Sequence, residues 1–462
     1  MSSILGFFND FLSQPALLMG LMSFVGLVAL KRPGHKIMSG TLKPILGYLM
    51  LGAGADFITA NLNPLGDMIQ AGFNINGIIP NNEAITSLAQ TLLGVETMSI
   101  LIVGLLVNLI VARFTKFKYI FLTGHHSLFM ACLLSAVLQT AGFNGVSLIA
   151  IGGSFLGVIS AILPAMGQKY TLKVTDGDDI AMGHFGSLAY YISAWIGSKV
   201  GKPEDSTENI EIPEKWSFLR DTTISTALTM MVFYLIAAIA AGPEFVAELS
   251  DGTNMILFAL MSAMKFAVGV TIVYSGVRMI LGDLLPAFQG IAMKVIPNAI
   301  PAVDCAVFFT YAQTAVVIGF VSSFIGGIIG MLILGAVGGV LIIPGLVPHF
   351  FCGATAGIYG NSTGGKRGAI VGSFINGLLI TFIPALLLPV LGNLGFQNTT
   401  FGDFDFGIIG ILIGKLYEYF GSIGVIGLLL VLVGCILVPN FTKTKTNVIN
   451  NYYEDEECEV YN

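Results

Sequence analysis

Charge is what this chain has least of. Only 10% of its 462 residues are Asp, Glu, Lys or Arg, against about 25% in soluble domains. With 55% hydrophobic residues and a mean hydropathy of +0.85, that scarcity excludes a soluble globular fold and predicts an all-α integral membrane protein. There is no P-loop, which excludes ATP hydrolysis by this chain. Energy has to come from an ion gradient or from another protein. The five cysteines (Cys132, Cys305, Cys352, Cys435 and Cys458) are scattered without a CxxC, which excludes a disulfide framework. No ligand pair has zinc spacing, so neither a metal nor a cofactor is expected. A net charge of −6 makes no case for nucleic acid. There is no cleavable signal pattern either: Phe11–Leu30 is long enough to span and lacks a small-residue cleavage site. Glycine, by contrast, is plentiful at 57 residues, which suits helices packed closely in lipid.

The few basic residues mark the cytoplasmic side. Lys31, Arg32, Lys36 and Lys43 follow the first apolar run, so the N-terminus is expected outside. Pro44 to about Leu62 returns outward, and Asn63–Glu83 is a Pro/Gly/Asn-interrupted segment. Leu88–Ala112 goes inward to Arg113, Lys116 and Lys118. Tyr119–Gln168 holds two spans with a break near Gly142–Gly145. Ile180–Gly197 is short and reads as a re-entrant or interfacial hairpin, which is tolerated only against protein or a watery cavity. Lys199–Asp221 is the main cytoplasmic loop. Spans are expected at Thr222–Ala241, Phe258–Leu281, Cys305–Phe320, Ser323–Ile343, Ala369–Leu391 and Tyr419–Val438. Gly345–Gly365 is a second broken segment. The count is eleven spans plus two broken segments, with a cytoplasmic, disordered tail from Lys443.

Asp304 organises this layout. No charged residue follows it until Lys366, a run longer than one crossing of about 20 residues. A carboxylate at membrane depth costs roughly 3 kcal/mol on insertion scales, so it reads as functional. An earlier phrase echoes it, Ile79-Pro80-Asn81-Asn82-Glu83 against Ile300-Pro301-Ala302-Val303-Asp304. Lys43, Asp56, Pro64, Pro80 and Glu83 run parallel to Lys265, Arg278, Pro286, Pro301 and Asp304, while the two stretches cross in opposite directions. That predicts an inverted-topology repeat, residues 1–222 and 223–442, followed by the tail 443–462. Such transporters bind substrate near the midplane, at broken helices in both halves.

The chemistry-bearing candidates follow from this. Two Gly-His phrases, Gly124-His125-His126 and Gly183-His184, lie just inside the cytoplasmic boundary beside breaks. His125 or His184 lining a cavity is the functional reading; helix packing is the favoured reading for His126 and His349. Glu83 and Asp304 can accept hydrogen bonds from solute hydroxyls, or act as a general base. Each could equally cap the helix that follows its proline. Gly353-Ala354-Thr355-Ala356-Gly357 offers open backbone to a ligand or, as plainly, helix packing. Asp56, Glu96 and Asp283 read as pairing or boundary residues.

VTDGDDIAMGHF (174–185), TGHHSLF (123–129), the run 276–306 ending IPNAIPAVDCA, and LIIPGLVPHFFCGATAG (341–357) resemble the ascorbate-type membrane IIC components of the bacterial phosphotransferase system. The resemblance covers nearly the whole chain in matching order. It implies an eleven-span homodimer of the inner membrane with an elevator-like substrate core. It also implies uptake of ascorbate or a related sugar or polyol, phosphorylated by a cysteine-phosphorylated IIB partner that is itself charged through IIA. The phosphoryl donor would then sit on the IIB chain, since no IIA or IIB domain is read here and Cys458 lies in an acidic tail unsuited to a thiolate.

Carried onto this sequence, the family's ligand contacts fall on His125, His184 and Asp304, which match. They fall also on Phe129 and Phe185, where the ascorbate members carry Gln, and on Asn82-Glu83, where they carry Thr-Tyr. Losing two amides and gaining a carboxylate changes the hydrogen-bond inventory, and an ascorbate anion would be repelled by an ionised Glu83. A neutral sugar or polyol therefore suits the chain as well as ascorbate does. Two other readings stay open at this point: a cation-coupled secondary transporter with Glu83 and Asp304 as ion sites, and a structural or receptor membrane protein.

Overall fold

The computed structural model describes residues 14–74, 77–177, 179–210, 221–294, 296–391 and 399–441. In chain order these form α1 (Pro15–Ala29), α2 (Gly34–Phe73), β1 (Ile79–Pro80), α3 (Asn82–Phe114), β2 (Tyr119–Phe121), α4 (Gly124–Thr140), α5 (Gly145–Thr175), β3 (Ala181–Met182) and α6 (Ser187–Val200). The second half continues with α7 (Thr222–Ala241), the short α8 (Pro243–Leu249), α9 (Met255–Lys294), β4 (Ile300–Val303), a 3-10 turn (Cys305–Thr310), α10 (Gln313–Ala336), α11 (Leu346–Leu387), β5 (Thr399–Thr400) and α12 (Phe404–Phe441). Among the described residues seven helices are long and apolar enough to cross a membrane, or eight if the bent pair Thr226–Ala241 and Pro243–Leu249 counts as one span. An all-α, multi-pass membrane protein is what the composition predicts.

The sequence places a break after Leu62, and the structure does not. α2 runs through both Pro44 and Pro64 and ends at Asn74, which is left-handed (φ 52°). A proline inside a helix loses one backbone hydrogen bond, at about 3 kcal/mol. Here Leu62, Leu65 and Met68 on the same stretch are fully buried, and each such side chain returns about 1.5–3 kcal/mol. α2 and α9 are both 40 residues long, about 60 Å at 1.5 Å per residue, twice the roughly 30 Å apolar slab. They lie against each other through glycines: a Cβ on Gly47 would sit 2.8 Å from the Gly276 carbonyl, and one on Gly276 2.7 Å from that of Gly47.

A second correction concerns the stretch after Asp304. Instead of two spans, a 3-10 turn leads into the single helix α10. Its internal glycines do not break it because they are where α11 packs: Gly319 meets the Gly353 carbonyl, Gly326 that of Phe374, and Gly330 the side chain of Thr381. α11 itself is helical from Leu346, where a broken segment was expected, and folds back at Gly365 (φ 56°, ψ −147°). The Ser373 hydroxyl donates to the Gly353 carbonyl at 3.1 Å, an approach impossible in a straight helix, where 20 residues span about 30 Å. α12 bends in the same way at Gly421 (φ 61°, ψ −156°), bringing Gly424 against the Leu416 carbonyl.

Buried extended backbone needs hydrogen-bond partners, and here it finds them across the chain. β4 lies between β2 and β3 in a parallel three-stranded sheet, with Ile120 opposite Pro301 and Met182 opposite Val303. β1 pairs with β5, Ile79 opposite Thr399, and Ile78 bridges Ile342. So β4, from the second half, is flanked by strands of the first, and β1, from the first, by segments of the second. Because the strands are parallel, the residues that leave their C-terminal ends gather on one side. Those residues are His125, His184, Asp304, Asn82 and Asp403.

Candidate substrate site

Asp304 leaves β4 and caps the 3-10 turn, accepting from the Ala306 N–H at 2.9 Å. It is buried, with its carboxylate 3.3 Å from Nε2 of His125. His125 opens α4, which β2 aims at Asp304. Its Nδ1 is 2.9 Å from the Tyr48 hydroxyl on α2. With Nε2 donating to the carboxylate, Nδ1 accepts from the tyrosine. The next residue, His126, is buried, its ring 3.7 Å from that of His184.

His184 follows β3. The Gly186 N–H (3.1 Å) and the Tyr190 hydroxyl (2.9 Å) both meet its Nδ1. A backbone N–H can only donate, so Nδ1 accepts and the neutral ring carries its proton on Nε2. The fifth group is Asp403, after β5. Its Oδ2 accepts from the Asn82 amide (3.0 Å) and its Oδ1 from the Cys352 thiol (3.1 Å). His126 Nδ1 lies 3.8 Å from Oδ2.

These side chains line a cavity of about 350 Å³, with Tyr48, Asp56, Asn82, Phe129, Cys305 and Phe351 among its other walls. That volume is near the lower end for small-molecule sites and suits a solute of a few carbons. Apolar faces alternate with carboxylates and imidazoles, which is what a carbon chain bearing many hydroxyls needs.

Of the residues the sequence points to, His125, His184, Asp304, Asn82 and Phe129 meet at this cavity, and Asp56, read as a boundary residue, joins them. Phe185 does not. It is fully buried and stacks on Phe121 at 4.9 Å, because it sits one residue past His184 and so turns to the other face. Thr355 is buried in α11, its hydroxyl donating to the Phe351 carbonyl at 2.7 Å. Glu83 stands in the first turn of α3, and its side chain lies outside the described residues.

Sequence reasoning set His126 aside and missed Asp403. The signal for the latter is the echo of Gly183-His184-Phe185 in Gly402-Asp403-Phe404. Nearby Asp405 is a structural carboxylate: it accepts from the Ser187 hydroxyl (2.8 Å) and the Leu188 N–H (3.1 Å) at the head of α6.

Among the described residues, two triads bring ligand-type atoms within 4.8 Å of one another, His125/His126/Asp304 and His126/His184/Asp403. A zinc ion would need Nε2 of His184 to give up its proton and Asp403 to turn from Asn82 and Cys352. The hydrogen bonds in place suit a hydroxylated solute better.

The sequence profile of EIIC-GAT, the sugar-specific permease component of the phosphotransferase system, matches residues 10–405. The ascorbate-specific phosphotransferase-system EIIC component of Mycoplasma pneumoniae (strain ATCC 29342 / M129 / Subtype 1) is 26% identical over 447 residues, covering 84% of this chain and 67% of that protein. The profile match takes in both strand groups and every residue of the cavity, from Tyr48 to Asp403. The chain accordingly belongs to the EIIC family of sugar-specific permease components of the phosphotransferase system.

Proposed function

We propose that this permease carries ascorbate or a related sugar or polyol across the bacterial inner membrane, bound in the cavity between His125, His184, Asp304 and Asp403, for phosphorylation by a IIB partner charged through IIA. The observation that carries the reading is the 3.3 Å approach of His125 to Asp304 at the wall of a cavity of about 350 Å³. In the transfer step a solute hydroxyl attacks phosphorus on the IIB phosphocysteine. The O–P bond forms, the S–P bond breaks and the cysteine leaves as thiolate. The hydroxyl proton goes to a carboxylate, for which Asp304 is best placed, with Glu83 a second candidate.

The finer architecture we propose is an inverted repeat, 1–222 and 223–442, working as an elevator and assembled as a homodimer. Three facts support it. α2 and α9 have equal length. β1 and β4 occupy equivalent places in sequence, Pro80 and Pro301 each opening the way to an acidic residue three positions on. Each of these strands pairs with segments of the other half. Eleven crossings result if α1, α4 and the bent pair are counted with the seven long helices and the folded-back α11 is counted twice. The apolar side chains that α12 exposes, among them Phe420, Ile423 and Leu430, suit lipid or a second copy. The N-terminus is outside, and Lys199–Asp221 and the tail are inside.

The experiment is uptake of labelled solute by vesicles holding the purified protein. Net accumulation that requires phosphorylated IIB supports the reading. Accumulation driven by a proton or sodium gradient with no IIB present would replace it with the cation-coupled transporter.

A further inference from the structure

Resting on the permease reading above, we infer that Asp403 is a specificity-determining residue: with Asp304 it gives the cavity two acidic walls that select a neutral polyhydroxy solute over an anion. Asp304 and Asp403 leave different strand groups, β4 and β5, and both line the same cavity. Asp403 is 3% exposed and Asp304 4%, so both charges act through a medium that screens them little.

The atoms around the cavity leave a definite demand. Among the described residues, Asp304 Oδ2 is met only by Nε2 of His125, at 3.3 Å, and has room for further donors. His126 Nδ1, between the carboxylates, has no hydrogen bond among them. The Asn82 side chain is committed at both ends: its amide goes to Asp403 and its carbonyl to the Gly402 N–H (2.8 Å). Asp56 adds a third carboxylate to the lining. The wall therefore offers acceptors in excess, and a solute is held by bringing donors. A chain of hydroxyls does that with no charge to repel, while Phe129, Val347 and Phe351 cover its C–H faces. An enediolate-type anion brings fewer donors and a negative charge between carboxylates, which disfavours it.

The sequence supports Asp403 as more than a cap. Gly183-His184-Phe185 after β3 and Gly402-Asp403-Phe404 after β5 set a histidine and an aspartate at matching places, so the cavity receives an imidazole from one side and a carboxylate from the other. Asp403 directly precedes α12 and can cap that helix as well, but its carboxylate also lines the cavity, where it accepts from the Asn82 amide and the Cys352 thiol.

The test is calorimetric binding to the purified full-length protein at neutral pH, with D-sorbitol, xylitol, D-galactose and L-ascorbate as probes. No IIB is present, so failure of phosphorylation coupling leaves this result readable. At least one neutral probe should bind at least tenfold more tightly than ascorbate. D403N should weaken that probe by about 10–100-fold, the range for losing a hydrogen bond to a charged group, and should shrink its advantage over ascorbate. That ratio is a readout a purely structural role would leave unmoved. Should D403N fail to fold, D403E is read instead: selectivity is kept and affinity falls. The inference is overturned if ascorbate binds wild type more tightly than every neutral probe, or if none of the three binds. It is also overturned if D403N leaves the ratio unchanged, or if D403E leaves the affinity unchanged.

Discussion

Asn82 grips Asp403 from both sides of one side chain: its amide nitrogen donates to the carboxylate at 3.0 Å, and its oxygen accepts the N–H of the preceding Gly402 at 2.8 Å. The two residues are brought together by the pairing of β1 with β5. N82A should therefore remove a hydrogen bond from each of two buried polar groups at once. A lost hydrogen bond costs about 0.5–3 kcal/mol, so the variant should unfold at lower temperature in a tryptophan-fluorescence melt and bind solute less well. An unchanged melt would mean the clamp does not form.

D304N should abolish uptake while leaving a folded protein. The amide oxygen can still accept from the Ala306 N–H, which preserves the cap, but the other oxygen becomes a donor facing the Nε2–H of His125. Transport assay and size-exclusion profile together check this. Normal transport would reduce Asp304 to a structural cap.

The two phenylalanines that stand where ascorbate members carry glutamine should part company. Phe129 lines the cavity, so F129Q should shift solute preference toward ascorbate. Phe185 is fully buried against Phe121 and Phe406. F185Q buries an amide in an apolar pocket, at about 1–3 kcal/mol, and should lower stability without changing preference. Paired binding and melting curves on both variants separate the effects.

Glycine packing makes a fourth prediction. A Cβ on Gly197 would meet the Gly360 carbonyl at 2.6 Å, and one on Gly66 meets nothing within 4 Å. G197A should cost about 1–3 kcal/mol by overpacking. G66A should be neutral or slightly stabilising, since alanine is the better helix former. Thermal melts of the two proteins in detergent compare them directly, and equal shifts would contradict the close approach of α6 to α11.

Side-directed cysteine labelling tests the orientation. A tag at the tail should react only after the membrane is breached, and one near the N-terminus should react in intact cells. A tail labelled from outside removes the eleven-crossing layout.

Much of the site could be read from the sequence because isolated titratable groups stand out in apolar surroundings. Asp304 opens a run without charge, and His125 and His184 repeat one phrase. Asp403 escaped because Asp405 and a polar stretch beside it make the segment look like a loop edge. The facing of Phe185 could not be read from spacing: β3 ends just before it, and side-chain direction changes where strand gives way to turn. The helices were harder. Proline and glycine clusters suggest breaks, yet Pro64 and Gly326 are carried by tertiary packing, while the true reversals at Gly365 and Gly421 depend on a backbone angle that only a left-handed position reveals.

The crossed strands bear on how the protein is made. β2 and β3 have β4 as their partner, and β4 is synthesised only after the ribosome has passed α7, α8 and α9. Until then the Tyr119–Phe121 and Ala181–Met182 backbones stand without their ladder, and unpaired backbone polar groups are costly to bury. A nascent chain halted near residue 222 would thus be a half-closed object, unable to finish its own binding cavity. Insertion machinery and proteases would meet the first half as an unfinished chain until Ile300–Val303 arrived to complete it.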